Sequence, residues 1–421
     1  MDKFVISGGT TLQGEVEIGG AKNAALPALA ACLLAEGESS IGNVPFLKDV
    51  ETLIRILNRL GMKARRDSEG RVVCVVENEE ESTAPYELVK TMRASICVLG
   101  PLVAKRGRAK VSLPGGCVIG PRPIDLHLKG LAALGAEIRV EHGYVIVEAE
   151  RLTGARVYLG GPNGPTVLGT LTVMMAATLA DGETVIEHAA CEPEIEDLAK
   201  LLVSMGASID GAGTHRIRIR GVRKLTGVRY DTVPDRIEAA TFLMAGAITG
   251  GEILCRNARA DHLDAVLDRL ADAKVVVRDE PAGLRVLSGA APKRTDVTTL
   301  PYPGFPTDVQ AQMTALLCLA EGESMVTDRV FPDRFIHTAE LNRMGAKIAR
   351  DGGSITVHGV EKLEGAEVMA SDLRASAALV LAALAAQGET EIHRIYHLDR
   401  GYEKLEWKLQ RLGADIRRES D

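Results

Sequence analysis

Cys117 is the residue in this chain with the clearest chemical signature. It lies in the stretch Leu113-Pro-Gly-Gly-Cys-Val-Ile-Gly-Pro-Arg-Pro-Ile-Asp-Leu-His127, behind Gly115 and Gly116 and five residues before Arg122. The paired glycines let the backbone take positive φ and approach a ligand closely. Pro114, Pro121 and Pro123 stiffen the loop. The planar fork of Arg122 suits a carboxylate or a phosphate. A cation near a thiol also lowers its pKa from about 8.5 toward the thiolate. The stretch therefore predicts a reactive or proton-donating cysteine beside an anion site. A Gly/Pro turn around a small buried thiol would use the same residues, but the flanking arginine favours the reactive reading. Asp125 and His127 follow the loop and are expected to support it.

The elements that position this loop are legible from an internal repeat. A helix-end phrase of the type Leu-Gly-Ala-x-Ile recurs at Gly61, Gly135, Gly206, Gly345 and Gly413, with a degenerate copy at Lys274. A second phrase, glycine then strand, recurs at Gly37, Gly107, Gly182, Gly251, Gly322 and Gly388. Each glycine is expected at a helix C-terminus in the left-handed conformation. Both phrases repeat about every 70 residues, which predicts six copies of strand, helix, strand, helix and two further strands. The first helix of each copy is Ala-rich and nearly uncharged, as in Ala239–Ile248 and Ala375–Ala386. Such a helix must be enclosed. The second is amphipathic and charged, as in Glu196–Met205 and Tyr402–Leu412.

Six such copies most economically build an α/β protein of two pseudo-threefold domains. Residues 22–232 would form the first, carrying the cysteine loop. Residues 1–21 and 233–421 would form the second, with the first strand pair completing the last copy. A single solenoid of six copies is the rival arrangement.

The repeat also nominates a site. The starts of the six enclosed helices align at Ala21–Ala24, Met92–Ser95, Thr166–Gly169, Pro234–Glu238, Phe305–Asp308 and Ser371–Arg374. Free N–H groups and the helix dipole favour anions there. Ser371 and Thr307 read as ordinary N-caps. Lys22, Arg93 and Arg374 do not, because a cation at the positive end of a helix is unfavourable unless an anion offsets it. Arg400 sits in a loop before the last charged helix, where a solvated helix cap is the competing reading.

Composition narrows the function classes. A net charge of −7, with no Lys/Arg block, argues against a nucleic-acid partner. The seven cysteines are scattered without a C-x-x-C pair, which argues against a disulfide framework and a zinc site and for a reducing cytoplasm. The N-terminus lacks the apolar core of a signal peptide. The longest apolar run, Ala375–Ala386, is too short to span a bilayer. No G-x-G-x-x-G or P-loop motif is present, and no His/Cys/carboxylate cluster has metal-ligand spacing.

Read together, several motifs resemble the enolpyruvyl transferases that act on UDP-N-acetylglucosamine. They are Gly-Gly-Ala-Lys22-Asn23, Thr91-Met-Arg93-Ala-Ser, the whole Leu113–His127 stretch, Glu192-Pro-Glu-Ile, Pro234-Asp-Arg-Ile-Glu, Phe305-Pro-Thr-Asp308, Asp372-Leu-Arg374 and Asp399-Arg400-Gly-Tyr-Glu. The resemblance runs through the whole chain in order. It implies two inside-out α/β barrels with three repeats each and an active site in the cleft between them. It implies transfer of the enolpyruvyl group of phosphoenolpyruvate to the 3′-hydroxyl of UDP-N-acetylglucosamine, with loss of phosphate, as the first committed step of peptidoglycan synthesis. No metal or organic cofactor is implied.

By the same resemblance, Lys22, Asn23, Arg93, Arg122 and Arg400 would hold phosphoenolpyruvate. Asp308 would be the base at the sugar hydroxyl, Cys117 the acid at the methylene carbon, and Lys22 a further catalytic group. Asn23, Arg93, Pro123, Asp125, Thr166, Val167, Glu192, Asp308, Val330 and Phe331 would contact the nucleotide-sugar. Asp372 and Arg374 would line the cleft.

The chain departs from the family pattern at Thr166-Val-Leu-Gly-Thr170, where Ser-Val-Gly-Ala-Thr is common, and at Cys191, where arginine is usual. Another nucleotide acceptor, or a non-catalytic UDP-sugar-binding role, are the alternatives. Acid and base both being present counts against the second. The Gly-Gly-Cys loop disfavours shikimate 3-phosphate as acceptor.

Overall fold

Six largely apolar segments, several of them Ala-rich, form helices packed into the interior. In chain order they are α1 (Lys22–Ala31), α2 (Leu99–Arg106), α3 (Val167–Ala177), α4 (Arg236–Ile248), α5 (Gln310–Leu317) and α6 (Leu373–Ala385). Every residue of α4 from Ile237 to Ile248 is buried, and so is every residue of α6 from Arg374 to Leu384. Alanine and leucine favour helix intrinsically, and an apolar surface on all sides leaves burial as the only stable placement. By contrast, the helix Lys48–Arg59 buries Val50, Leu53, Ile54, Ile56 and Leu57 and turns Glu51, Arg55 and Asn58 to solvent.

The computed structural model describes residues 2–90, 92–113, 124–289 and 291–420. Among these, the chain divides into two compact units, residues 20–233 and residues 2–19 with 234–420. The expectation from sequence placed the outward crossing at Lys22. The backbone is paired around both crossings: Ala21 N–H donates to Val233 O (2.8 Å), and Asp235 N–H donates to Gly19 O (2.8 Å).

Each unit holds three four-stranded sheets of one design: a parallel pair, then two antiparallel pairs. Val297–Thr299 runs parallel to Glu323–Asp328, which pairs antiparallel with Ser354–His358, which pairs antiparallel with Lys347–Asp351. Strand residues alternate between buried and exposed, as in Arg216–Arg220, so one face of each sheet packs inward. In the unit that contains them, α4, α5 and α6 touch one another pairwise, and each packs against strands. The two apolar cores stay within their own units.

Two expectations change in detail. The first strand, Asp2–Ser7, does complete the last copy, lying between Glu389–His393 and Asp415–Ser420. The second, Gln13–Glu17, instead pairs with Glu252–Arg256 in another sheet of the same unit. Thus the N-terminal pair joins the last and first copies of that unit. The other unit is linked by Arg229–Asp231 alongside Ser39–Gly42.

The left-handed glycines at Gly61, Gly135, Gly206, Gly345 and Gly413 have φ between 81° and 109°, and Lys274 adopts the same conformation at 62°. In the fourth copy of the second phrase the left-handed residue is Gly250 rather than Gly251. A Cβ at Gly251 would meet Leu12 O at 2.1 Å, so this glycine is required for space.

Candidate functional site

In the unit of residues 2–19 and 234–420, a carboxylate is held by two buried guanidinium groups. Asp308 lies in the 3-10 turn Thr307–Val309 that leads into α5. Arg334 Nη1 donates to its Oδ1 at 2.7 Å, and Arg374 Nη2 donates to its Oδ2 at 3.1 Å. The two arginine side chains are 6% and 3% exposed against 28% for Asp308, so the carboxylate is the accessible member. Burial pulls the Arg374 pKa down, but Asp308 and then Tyr402 outweigh it, and the net shift is upward. The result is a fixed carboxylate with a solvent-facing edge.

Helix starts place these groups, though not by the expected caps. Asp372 caps α6, its Oδ1 accepting from Arg374 N at 2.8 Å and Ala375 N at 3.1 Å. Ser371, expected as the cap, has a buried hydroxyl with no hydrogen-bond partner among the described residues. Thr307, also expected to cap, donates instead to Asp328 Oδ2 at 2.7 Å. Carboxylates bond two helix N–H groups more strongly than a neutral hydroxyl can, and Asp235 caps α4 in the same manner.

Beneath this surface Gln312 Nε2 donates to Asp308 O at 3.0 Å and lies 3.1 Å from Tyr402 Oη, which is 2.9 Å from Thr241 Oγ1. Arg374 also stacks over the Tyr402 ring at 5.5 Å. Tyr402 follows Arg400 by two residues, so α4, α5 and the Arg400 turn share one polar contact. Arg400 ends the 3-10 segment Ile395–Arg400 and is half-buried. His397 has its pKa lowered by burial and then by Arg400. Val330 and Phe331, both half-buried, follow the strand Glu323–Asp328.

In the unit of residues 20–233, Lys22 opens α1 and its Nζ lies 3.2 Å from Asp49 Oδ2. Asn23 beside it is exposed. Arg93 opens the 3-10 turn Arg93–Val98, which packs against α1 and α3. His127 Nδ1 lies 3.1 Å from Thr172 Oγ1. Because that hydroxyl donates to Leu168 O at 2.8 Å, the ring must donate through Nδ1. Thr166 caps α3 through Gly169 N at 3.2 Å, and Val167 is half-buried. Asp125 is exposed in the first turn of Asp125–Ala133, and Glu192 is the half-buried residue before Pro193–Ser204. Cys117, Arg122 and Pro123 lie outside the described residues.

Burial, and then Arg93, lower the His127 pKa to about 4. Between that value and about 6.5 the unfolded chain takes up a proton that the folded state refuses. The stability contributed by neutral His127 is therefore full above pH 6.5 and falls on the order of 3 kcal/mol as pH drops toward 4. His337, lowered to about 4 mainly by burial, acts in the same direction. Asp197, raised to about 6 mainly by burial, acts in the opposite direction, its share being lost as pH rises through 6. Denaturant unfolding at pH 7.5 and pH 5 should show a smaller acid loss in His127→Gln than in the wild type. An identical loss would mean that His127 is already protonated in the folded state.

Sequence reading missed Arg334, Asp328, Asp49, Gln312 and Tyr402. Arg334 had one faint signal, its place three residues after Phe331. Asp49 and Asp328 sit in the charged helix Lys48–Arg59 and at a strand end, where acidic residues are commonplace. Among the described residues no His/Cys/carboxylate cluster could hold a metal, and no helix is long and apolar enough to cross a membrane.

The chain can be compared with known proteins on this basis. The family model for EPSP synthase (3-phosphoshikimate 1-carboxyvinyltransferase) matches residues 6–409. The chain is 56% identical over 423 residues to the UDP-N-acetylglucosamine 1-carboxyvinyltransferase of Anaeromyxobacter sp. (strain Fw109-5), covering 100% of both chains. It is 55% identical over 419 residues to the protein of that name from Geobacter metallireducens, covering 99% of each. Among solved structures, the enolpyruvyl transferase NikO from Streptomyces tendae superposes with a TM-score of 0.89 at 26% identity, covering 100% of this chain and 99% of that one. EPSP synthase from Acinetobacter baumannii shares the fold, with a TM-score of 0.77 at 18% identity and 100% of both chains covered. With a family match over nearly its entire length and relatives identical at more than half of their positions, the chain belongs to the EPSP synthase family of enolpyruvyl transferases.

Proposed function

We propose that the protein is a UDP-N-acetylglucosamine 1-carboxyvinyltransferase, moving the enolpyruvyl group of phosphoenolpyruvate to the sugar 3′-hydroxyl and releasing phosphate. This would be the first committed step of peptidoglycan synthesis, carried out in the cytoplasm. The observation that carries the reading is full-length identity of 54–56% to three relatives of that name.

The residues suit the reaction. Asp308 takes the hydroxyl proton as the sugar oxygen bonds to C2 of phosphoenolpyruvate. Cys117 gives its thiol proton to C3, so the double bond becomes a methyl group and a tetrahedral carbon. In the second half the C2–O bond to phosphate breaks, a C3 proton returns to the thiolate, and the double bond re-forms. The proton on Asp308 leaves with phosphate. One acid and one base are thus sufficient.

Two guanidinium groups, one on each oxygen, hold the Asp308 carboxylate in place. It accepts the proton once C–O bonding has made the hydroxyl acidic. Lys22, Arg93, Arg122 and Arg400 answer the charges on phosphate and carboxylate, with Asn23 beside them. Asp125, Thr166, Val167, Glu192, Val330, Phe331 and Pro123 bind the nucleotide-sugar, and Asp372 and Arg374 complete the lining.

Phosphate release from phosphoenolpyruvate, measured with and without UDP-N-acetylglucosamine, tests the reading. Release that depends on the sugar nucleotide, with an enolpyruvyl adduct in the product mass, is the expected result. Folded protein that binds the nucleotide without turnover would overturn it in favour of a binding role. Turnover only with another acceptor would trace to the Thr166–Thr170 departure.

A further inference from the structure

Asp328 ends the strand Glu323–Asp328 and is 1% exposed, yet four donors converge on its carboxylate. Oδ1 accepts from Thr299 Oγ1 at 2.7 Å, from Val330 N at 2.9 Å and from Phe331 N at 2.7 Å. Oδ2 accepts from Thr307 Oγ1 at 2.7 Å. The Thr307 oxygen in turn accepts from Arg334 Nη1 at 3.2 Å, the same nitrogen that donates to Asp308 at 2.7 Å. One oxygen of Asp328 therefore shapes the Val330–Phe331 turn, and the other orients the hydroxyl that holds Arg334 against Asp308.

A buried carboxylate is costly unless every lone pair is used. A strand end needs only a backbone turn, which an asparagine or serine can supply. The second oxygen, aimed at Thr307 across 21 residues of sequence, is not required by that turn. We infer that Asp328 is a positioning residue that couples acceptor recognition at Val330–Phe331 to the placement of Asp308, through Thr307 and Arg334. The inference rests on the proposed function, in which those two places contact the nucleotide-sugar and its hydroxyl. Substrate seated against the Val330–Phe331 turn would then settle the same carboxylate that orients the base.

The test is a double-mutant cycle on Asp328→Asn and Thr307→Val, with the steady-state constants for both substrates measured on the full-length enzyme. Asparagine keeps the acceptor for the turn but presents an N–H₂ group to Thr307. Valine keeps the shape of threonine and removes the hydroxyl. Thr307→Val should lower kcat about tenfold with the acceptor KM within about twofold of wild type. Asp328→Asn should lower kcat about tenfold and also raise the acceptor KM severalfold, leaving the phosphoenolpyruvate KM near wild type. The kcat losses should be strongly non-additive in the double variant, and Thr307→Ser should restore the rate.

Additive losses, or equal changes in both KM values, would overturn the coupling. So would wild-type kcat in Thr307→Val, a result that stands even if Asp328→Asn fails to fold. An inactive wild type would speak against the proposed function itself. Calorimetric titration of UDP-N-acetylglucosamine into wild type and Asp328→Asn then decides the acceptor half, unchanged affinity overturning it.

Discussion

Asp308→Asn should reduce turnover by about 10²- to 10⁴-fold, the range for loss of a general base, while the protein stays folded. Asparagine retains an oxygen for one guanidinium but cannot accept the hydroxyl proton. Asp308→Ala is expected to be equally inactive and markedly less stable. It would leave Arg334 and Arg374, both buried, without their shared carboxylate. Removing one partner of a buried ion pair costs about 3–5 kcal/mol. Rates of sugar-dependent phosphate release, set beside melting temperatures for the two variants, separate the roles. An Asn variant with near wild-type turnover would make Asp308 a structural anchor for the two arginines and remove it from proton transfer.

Cys117→Ala should retain UDP-N-acetylglucosamine binding and lose about 10²- to 10⁴-fold in turnover, since no acid then serves C3. Chemical labelling offers a second view. Cys97 and Cys318 are buried and have their pKa values pushed up to about 12 by burial, and the half-buried Cys191 is raised by burial and then by Glu192. Thiols of that kind react slowly at neutral pH. Iodoacetamide should therefore modify Cys117 first, with activity lost in step and phosphoenolpyruvate slowing both. Wild-type turnover in Cys117→Ala would remove the acid role. Labelling that spares Cys117 while another cysteine reacts would argue against the expectation of a reactive cysteine in this loop.

The features legible in the sequence are local and periodic. Six largely apolar stretches without a charged stripe must be enclosed wherever the chain carries them. A glycine after five of the six amphipathic helices, with Lys274 after the other, announces a left-handed C-terminus, and the two phrases sharing one period imply six copies of one unit. Lys22, Arg93 and Arg374 stand out because a cation is misplaced at a helix start unless an anion is expected. The cysteine loop reveals itself by glycine, proline and arginine at close spacing. Each of these signals depends on neighbours within about one helical turn or on repetition, so no contact map is needed to see it.

Tertiary structure decided the pairings. Which of the 57 acidic residues meets which of the 50 Lys/Arg residues depends on segments brought together from afar. Asp308 meets Arg334 and Arg374 across 26 and 66 residues of chain, and Lys22 meets Asp49 across 27. The capping role passed from Ser371 to Asp372, and Thr307 turned away from its helix, because a buried carboxylate at Asp328 offered its hydroxyl a stronger acceptor. The second strand likewise joined Glu252–Arg256, a choice among edges that alternation alone leaves open. Burial makes unpaired polar groups expensive. The final partners in the site were therefore selected by which donors and acceptors the packed helices leave within reach, a property of the folded chain as a whole.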